Sequence, residues 1–189
     1  MEFNNDIELA LKTLRKGGII LYPTDTVWGM GCDATNDDAV RRLMQLKRRS
    51  DSKAMISLVD SLESLANWVD FIPTKALNEL ESENLRPLTV IYDLPKGIAP
   101  SLLAEDGSAA FRITGHKFSR ELCRVLNAPL VSTSANISGR PTPLSFFEID
   151  QELIDAVDYV CHTDRDKKDS QQSRILKINN INEIKVIRE

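Results

Sequence analysis

The chain has 189 residues, 42% of them hydrophobic, which suits one globular domain with a sizeable core. Its net charge of −4 excludes an overall basic field that would draw the molecule onto nucleic acid. Three separated cysteines (Cys32, Cys123, Cys161) form neither a disulfide framework nor a zinc-ligand spacing, and no apolar run approaches the ~20 residues of a membrane span. The opening residues, MEFNNDIELALK, lack a basic segment followed by an apolar one, so a reduced, cytoplasmic setting is expected.

Ile7, Leu11 and Leu14 share one face at helical spacing, with Asn5 as the expected cap and Gly17-Gly18 as the stop. Residues 19–22 read as a strand, followed by a long loop. Asn36 caps a second helix whose inner face holds Val40, Leu43, Met44 and the stem of Lys47. Residues 54–59 read as a strand, and Asp60 with Glu63 as a capping-box start of a helix through Val69. Pro73 opens a further helix with Leu77 and Leu80 inward.

Strands are expected over 88–92 and 109–113, with a helix carrying Phe118, Leu122, Val125 and Leu126 before another strand at 129–131. A helix over 146–157 and strands over 159–161, 175–178 and 184–187 complete the series. Interleaved strands and helices, with no internal repeat or interdomain linker, predict a single α/β domain over residues 1–189 with a mixed, largely buried sheet. The polar stretch 163–172, TDRDKKDSQQ, reads as a mobile loop.

The most informative segment is Ser132 to Gly139, STSANISG, directly after an apolar strand. Small hydroxyls and an amide at a strand end suit a turn that wraps a polar or anionic ligand. From Arg41 to Lys53 the chain carries a local charge of +5, either a solvated helix face or a phosphate-binding edge. Gly29 to Ala34 matches G-x-G-x-x-A, but residues 23–28 separate it from the strand and the helix opens only at Asn36, so a dinucleotide site is disfavoured. No Walker loop is present. The two histidines, His116 and His162, stand beside no Ser or Cys in a nucleophile elbow.

What remains is a set of binding groups without a base. Thr24, Asp25 and Thr26 share a polar loop; Lys47, Arg49 and Lys53 follow a helix; Arg112 ends a strand; and Ser173-Arg174 precede a late one. Hydroxyls, backbone N–H groups and cations at strand ends suit a nucleoside triphosphate with a carboxylate co-substrate. Nucleotidyl transfer runs largely on positioning and charge neutralisation, so the lack of an evident base is no contradiction.

The ordered motifs YPTDTVWGMGCDA, LKRRSDSKAM, RPLTVIY, SAAFRI, PLVSTSANISGRPTP and SQQSRILKI resemble the YrdC-like family of L-threonylcarbamoyl-AMP synthases, over nearly the whole chain. The resemblance implies a YrdC/RibB-like fold: a twisted mixed sheet with flanking helices and a concave, positively lined cavity. It implies ATP, L-threonine and bicarbonate as substrates, Mg²⁺ on the phosphates, and a product destined for tRNA adenosine 37 through downstream tRNA threonylcarbamoyl transferase proteins.

Residue by residue, the resemblance implies that Thr24, Arg112, Ser132 and Ser173 hold threonine. Lys47, Arg49 and Lys53 would face the triphosphate, and Ser108, Ser134, Asn136, Thr142 and Arg188 the nucleotide. The chain departs from the family pattern at Asp25 (usually Glu), at Ser50 (commonly Pro), at Arg174-Ile175 (usually Thr-Val after Ser173) and at the Arg188-Glu189 ending. It also shows no counterpart of the C-terminal domain of longer members. Two alternatives share these features: an RNA- or tRNA-binding, ribosome-assembly module of the same fold using the +5 patch, and a carbamoyl-phosphate-dependent transferase, which would leave a separate amino-acid site unexplained. Stacking of Tyr22 or Trp28 on adenine is left open.

Overall fold

Nine strands, among the described residues, form one sheet ordered β7-β1-β2-β6-β3-β5-β4-β8-β9. The structure is a computed structural model that describes residues 2–48, 55–72, 74, 86–167, 172–178 and 183–188. In chain order the strands are β1 Ile20–Tyr22, β2 Gly29–Gly31, β3 Ile56–Val59, β4 Leu88–Tyr92, β5 Ala109–Ile113, β6 Leu130–Ser134, β7 Tyr159–Val160, β8 Arg174–Ile178 and β9 Ile184–Arg188. The helices are α1 Phe3–Arg15, α2 Asp37–Leu46, α3 Leu62–Leu65, α4 Lys117–Leu126 and α5 Gln151–Ala156. The sheet is mixed: β1/β7, β3/β5 and β4/β8 run parallel, and the other neighbours antiparallel.

The elements follow the sequence pattern with instructive exceptions. Asn36 caps α2, its side chain accepting from the Ala39 N–H at 3.1 Å. Asn5 does not cap α1, which begins two residues earlier with Glu2 at the cap position. The capping residue of α3 is Ser61 rather than Asp60, and that helix closes at Leu65, not Val69. The expected helix over 146–157 divides into a 3₁₀ turn, Phe146–Glu148, and α5. The helix expected after Pro73 lies outside the described residues, as does part of the 163–172 loop.

Strand β2 lay inside the expected loop. Its Gly-Met-Gly sequence has one apolar side chain and no β-branched residue, so it carries little strand signal. Gly31 nevertheless packs so tightly on β6 that a Cβ there would stand 1.8 Å from the Val131 carbonyl oxygen. Strand β6 likewise runs on through Ser134, so the first half of STSANISG is sheet and only the second half is turn.

Alternation across β1 sends Leu21 to one face with Met30 and Leu43, and Ile20 and Tyr22 to the other with Leu14, Phe118 and Leu122. On this second face α1 and α4 cover Leu58 and Leu130. Further along the same strands the register aligns Ile56 with Ser132 and Ala110, and Gly29 with Ser134, and there a cavity opens. The helices thus bury one end of the face and leave the other for a ligand.

A buried carboxylate anchors the segment after β7 to α1. Asp6 accepts from the Tyr159 hydroxyl (2.7 Å), the Thr163 hydroxyl (2.6 Å) and the N–H groups of His162 and Thr163. Burial pushes its carboxyl up, but the hydrogen bonds from Thr163, Tyr159 and the backbone outweigh burial and hold it below its ordinary value.

Candidate functional site

The cavity has a volume of about 300 Å³ and lies across β2, β6, β3, β5, β4 and β8, with β9 at its rim. Ile56, Ile91, Ala110 and Ile175 give it an apolar floor. Thr26, Thr89, Ser132, Thr133, Ser134, Thr142 and Ser173 supply hydroxyls, and Arg112 and Arg188 supply positive charge. An apolar base with a few convergent polar groups is the usual form of a small-molecule site.

Arg112 is its electrostatic centre. The side chain is 2% exposed and pairs with Asp25 at 3.0 Å, while Nη2 donates to the Thr26 hydroxyl at 3.5 Å. The ion pair does not align as a hydrogen bond: Arg112 Nε and Asp25 Oδ1 are buried with no hydrogen-bond partner among the described residues. Asp25 uses its other oxygen to accept from the Gly115 N–H at 3.0 Å, which ties the loop after β1 to the end of β5. A buried guanidinium N–H without an acceptor, in the wall of a cavity, is complementary to an oxygen anion.

Of the residues expected at the site, Arg112, Ser132, Ser134, Thr142, Ser173 and Arg188 line the cavity. Thr24 does not. Its hydroxyl donates to the Val27 carbonyl (2.7 Å) and accepts from the Thr26 N–H (3.1 Å), closing a turn that presents Thr26 instead. Ser108 is also removed from it, donating to Asp106 at 2.6 Å in a turn that Lys177 braces. Arg49 and Lys53 lie outside the described residues.

Lys47 and Asn136 act within the STSANISG loop rather than on the cavity wall. The Lys47 side chain is buried, and Nζ donates to the carbonyls of Ser134 (2.5 Å) and Asn136 (2.8 Å). The Ser138 N–H donates back to the Lys47 carbonyl. Asn136 accepts from the Ser134 hydroxyl at 2.5 Å and donates to the Arg140 carbonyl at 2.6 Å. Lys47 is therefore the clamp that shapes the loop, a role its place in a basic run conceals.

The described arginines of that basic run are each matched by an acid. Arg41 pairs with Asp37, Arg42 with Asp158 through both terminal nitrogens (2.7 and 3.0 Å), and Arg48 with Glu152 at 2.5 Å. Arg188, expected at the nucleotide, uses its fork on Ser173, with Nε to the carbonyl (2.9 Å) and Nη2 to the hydroxyl (3.2 Å). Burial, with Arg112 and Arg86 nearby, pushes its guanidinium down.

All three cysteines are buried, and burial pushes their thiols up. Trp28 packs on Phe146 with ring centroids 4.9 Å apart, and Tyr22 is fully buried with its hydroxyl on the Val131 carbonyl, so neither offers a face to adenine. His116 caps α4, accepting from the Phe118 N–H, and meets Asp164 at 3.0 Å; burial holds it below its ordinary value. Among the described residues no group of three or more His, Cys, Asp or Glu could hold a metal ion. Sequence reading missed Thr89 as a cavity-lining residue, because a Thr within a strand carries no signal beyond β propensity.

The Sua5/YciO/YrdC family model, described as Telomere recombination, matches residues 12–189. The chain is 35% identical to the threonylcarbamoyl-AMP synthase of Xanthomonas campestris pv. campestris (strain B100) over 162 residues, 85% of this chain and 87% of that one. Its fold is similar to Escherichia coli YciO (TM-score 0.81, 24% identity, covering 100% of this chain and 90% of that one). It is likewise similar to P. abyssi Sua5 complexed with L-threonine (TM-score 0.78, 24% identity, 94% of this chain), of which it spans 52%.

Proposed function

The chain belongs to the Sua5/YciO/YrdC family, and from that premise we propose that it is an L-threonylcarbamoyl-AMP synthase, a nucleotidyltransferase using L-threonine, bicarbonate and ATP. The observation that carries this reading is Arg112: a buried guanidinium with an unpartnered N–H in a cavity of about 300 Å³. Its planar fork suits the threonine carboxylate, and the hydroxyls of Thr26, Ser132 and Ser173 surround the place a small polar side chain would occupy.

In this reaction the threonine amine attacks bicarbonate carbon, losing water to give the carbamate. A carbamate oxygen then attacks the α-phosphorus of ATP, and the bond to pyrophosphate breaks. Ser134 and Thr142, on the cavity wall beside the Lys47-clamped loop, meet the nucleotide. Mg²⁺ enters as part of the MgATP substrate, held by phosphate oxygens. The enzyme's contribution is placement: the amino acid fixed by Arg112 and the nucleotide by the loop, so that carbamate and α-phosphorus meet in line.

The product would serve tRNA adenosine 37 through a downstream transferase. An RNA-binding role gains little support from the basic run, whose described arginines are each matched by an acid. No helix among the described residues is long and apolar enough to cross a membrane. Mixing the protein with MgATP, L-threonine and bicarbonate should yield threonylcarbamoyl-adenylate by mass spectrometry. Threonyl-adenylate alone would mean that amino-acid activation, not carbamate activation, is the reaction.

A further inference from the structure

Thr89 is wholly buried as the second residue of β4, where a valine would satisfy strand and packing equally well. Its hydroxyl donates to the Ser173 hydroxyl oxygen at 2.9 Å. Arg188 Nη2 donates to the same oxygen at 3.2 Å, and its Nε fixes the Ser173 backbone through the carbonyl at 2.9 Å. Arginine is a donor only, and a serine hydroxyl has two lone pairs and one proton. Both lone pairs are therefore occupied.

The Ser173 proton has no acceptor among these partners, and Ser173 lines the cavity together with Arg112. We propose that Thr89 and Arg188 are positioning residues that convert Ser173 into an obligate donor, aimed at an oxygen acceptor of the bound amino acid. A serine left to rotate would spread its proton over several directions in the empty cavity and would have to be ordered on binding. Here the two donors behind it remove that freedom, so the hydroxyl is organised before the ligand arrives. This rests on the synthase reading and adds to it a polarity for one wall of the threonine pocket. It also gives Arg188 a task at the amino-acid end of the site.

The test is a set of steady-state measurements on Thr89→Val, Thr89→Ser, Arg188→Met and Ser173→Ala, with L-threonine and ATP varied separately. Thr89→Val should raise the KM for L-threonine roughly 3- to 10-fold, the scale of one lost hydrogen bond, with the KM for ATP within twofold of wild type. Thr89→Ser, which keeps the donor, should restore the wild-type value, and Arg188→Met should shift the same constant in the same direction. In the Ser173→Ala background Thr89→Val should add nothing. A Thr89→Val protein with an unchanged threonine KM, or an effect that persists in full without Ser173, would overturn the inference while leaving the activity intact. A wild-type protein that neither binds nor uses L-threonine would instead overturn the activity on which it rests. If Thr89→Val does not fold, Arg188→Met on the sheet rim decides by the same criterion.

Discussion

Replacing Arg112 by alanine perturbs stability and binding through two separable terms. The lost cation leaves Asp25 with a side chain only 14% exposed and one remaining hydrogen bond, from the Gly115 N–H. Breaking a buried pair from one side costs about 3–5 kcal/mol. The residual exposure and the Gly115 bond place this case at the low end, about 3 kcal/mol, or a fall in Tm of roughly 6–12 °C for a chain of this size. Separately, the amino acid loses a charge-assisted fork worth about 2–4 kcal/mol, which is roughly a 30- to 1,000-fold rise in the KM for L-threonine. The double variant Asp25→Asn/Arg112→Gln separates the two, because it removes both charges together and leaves no uncompensated buried carboxylate. Thermal melts should show it recovering most of the stability, while pyrophosphate-release kinetics should show the threonine KM still raised at least tenfold and the ATP KM little changed. A double variant that regained threonine affinity along with stability, or an Arg112→Ala effect equal on both substrates, would refute the carboxylate assignment.

Gly31→Ala would put a Cβ 1.8 Å from the Val131 carbonyl, so β2 and β6 must part; a Tm loss of about 10 °C or more is expected, at about 2–4 °C per kcal/mol, and an unchanged melt would contradict the packing described. Lys47→Met keeps much of the buried volume but removes the donors to Ser134 and Asn136, so the KM for ATP should rise at least tenfold with a smaller change for threonine; an equal rise for both would argue against a loop clamp. His116 is held below its ordinary value, about 6.5, by burial, so the unfolded chain binds the extra proton first. Stability should therefore fall as pH drops below about 6.5 towards the folded value. His116→Asn, which retains a capping oxygen, should flatten that slope in Tm measured from pH 7 to 5.5; an identical slope would place the titration elsewhere.

Apolar patterns carried most of the fold into the sequence: helical spacing placed α1, α2 and α4, and short apolar runs placed β4, β5 and β8. Strand β2 escaped because its defining property is an absence, the missing Cβ at Gly31 that admits the β6 backbone. Arg112 and the strand half of STSANISG were legible as cavity-lining residues, since a cation and clustered hydroxyls at strand ends are poor core material. Thr24 and Thr26 were not distinguishable, for which of two hydroxyls faces the cavity is settled by the turn that Thr24 itself closes. The ion pairs of Arg42 and Arg48 were not legible, because their partners, Asp158 and Glu152, lie more than a hundred residues away in the chain. Lys47 changed role for the same reason, its acceptors being contributed by a loop distant in sequence.

The central claim, that amino acid and nucleotide are bound side by side for adenylation of a carbamate, is tested most directly by pyrophosphate release from MgATP in an omission series. Release should require L-threonine and bicarbonate together, and should fall to background when either is withheld; at an L-threonine concentration that half-saturates the wild type, Arg112→Ala should lower it by at least tenfold. Release that proceeds undiminished without L-threonine would contradict the account.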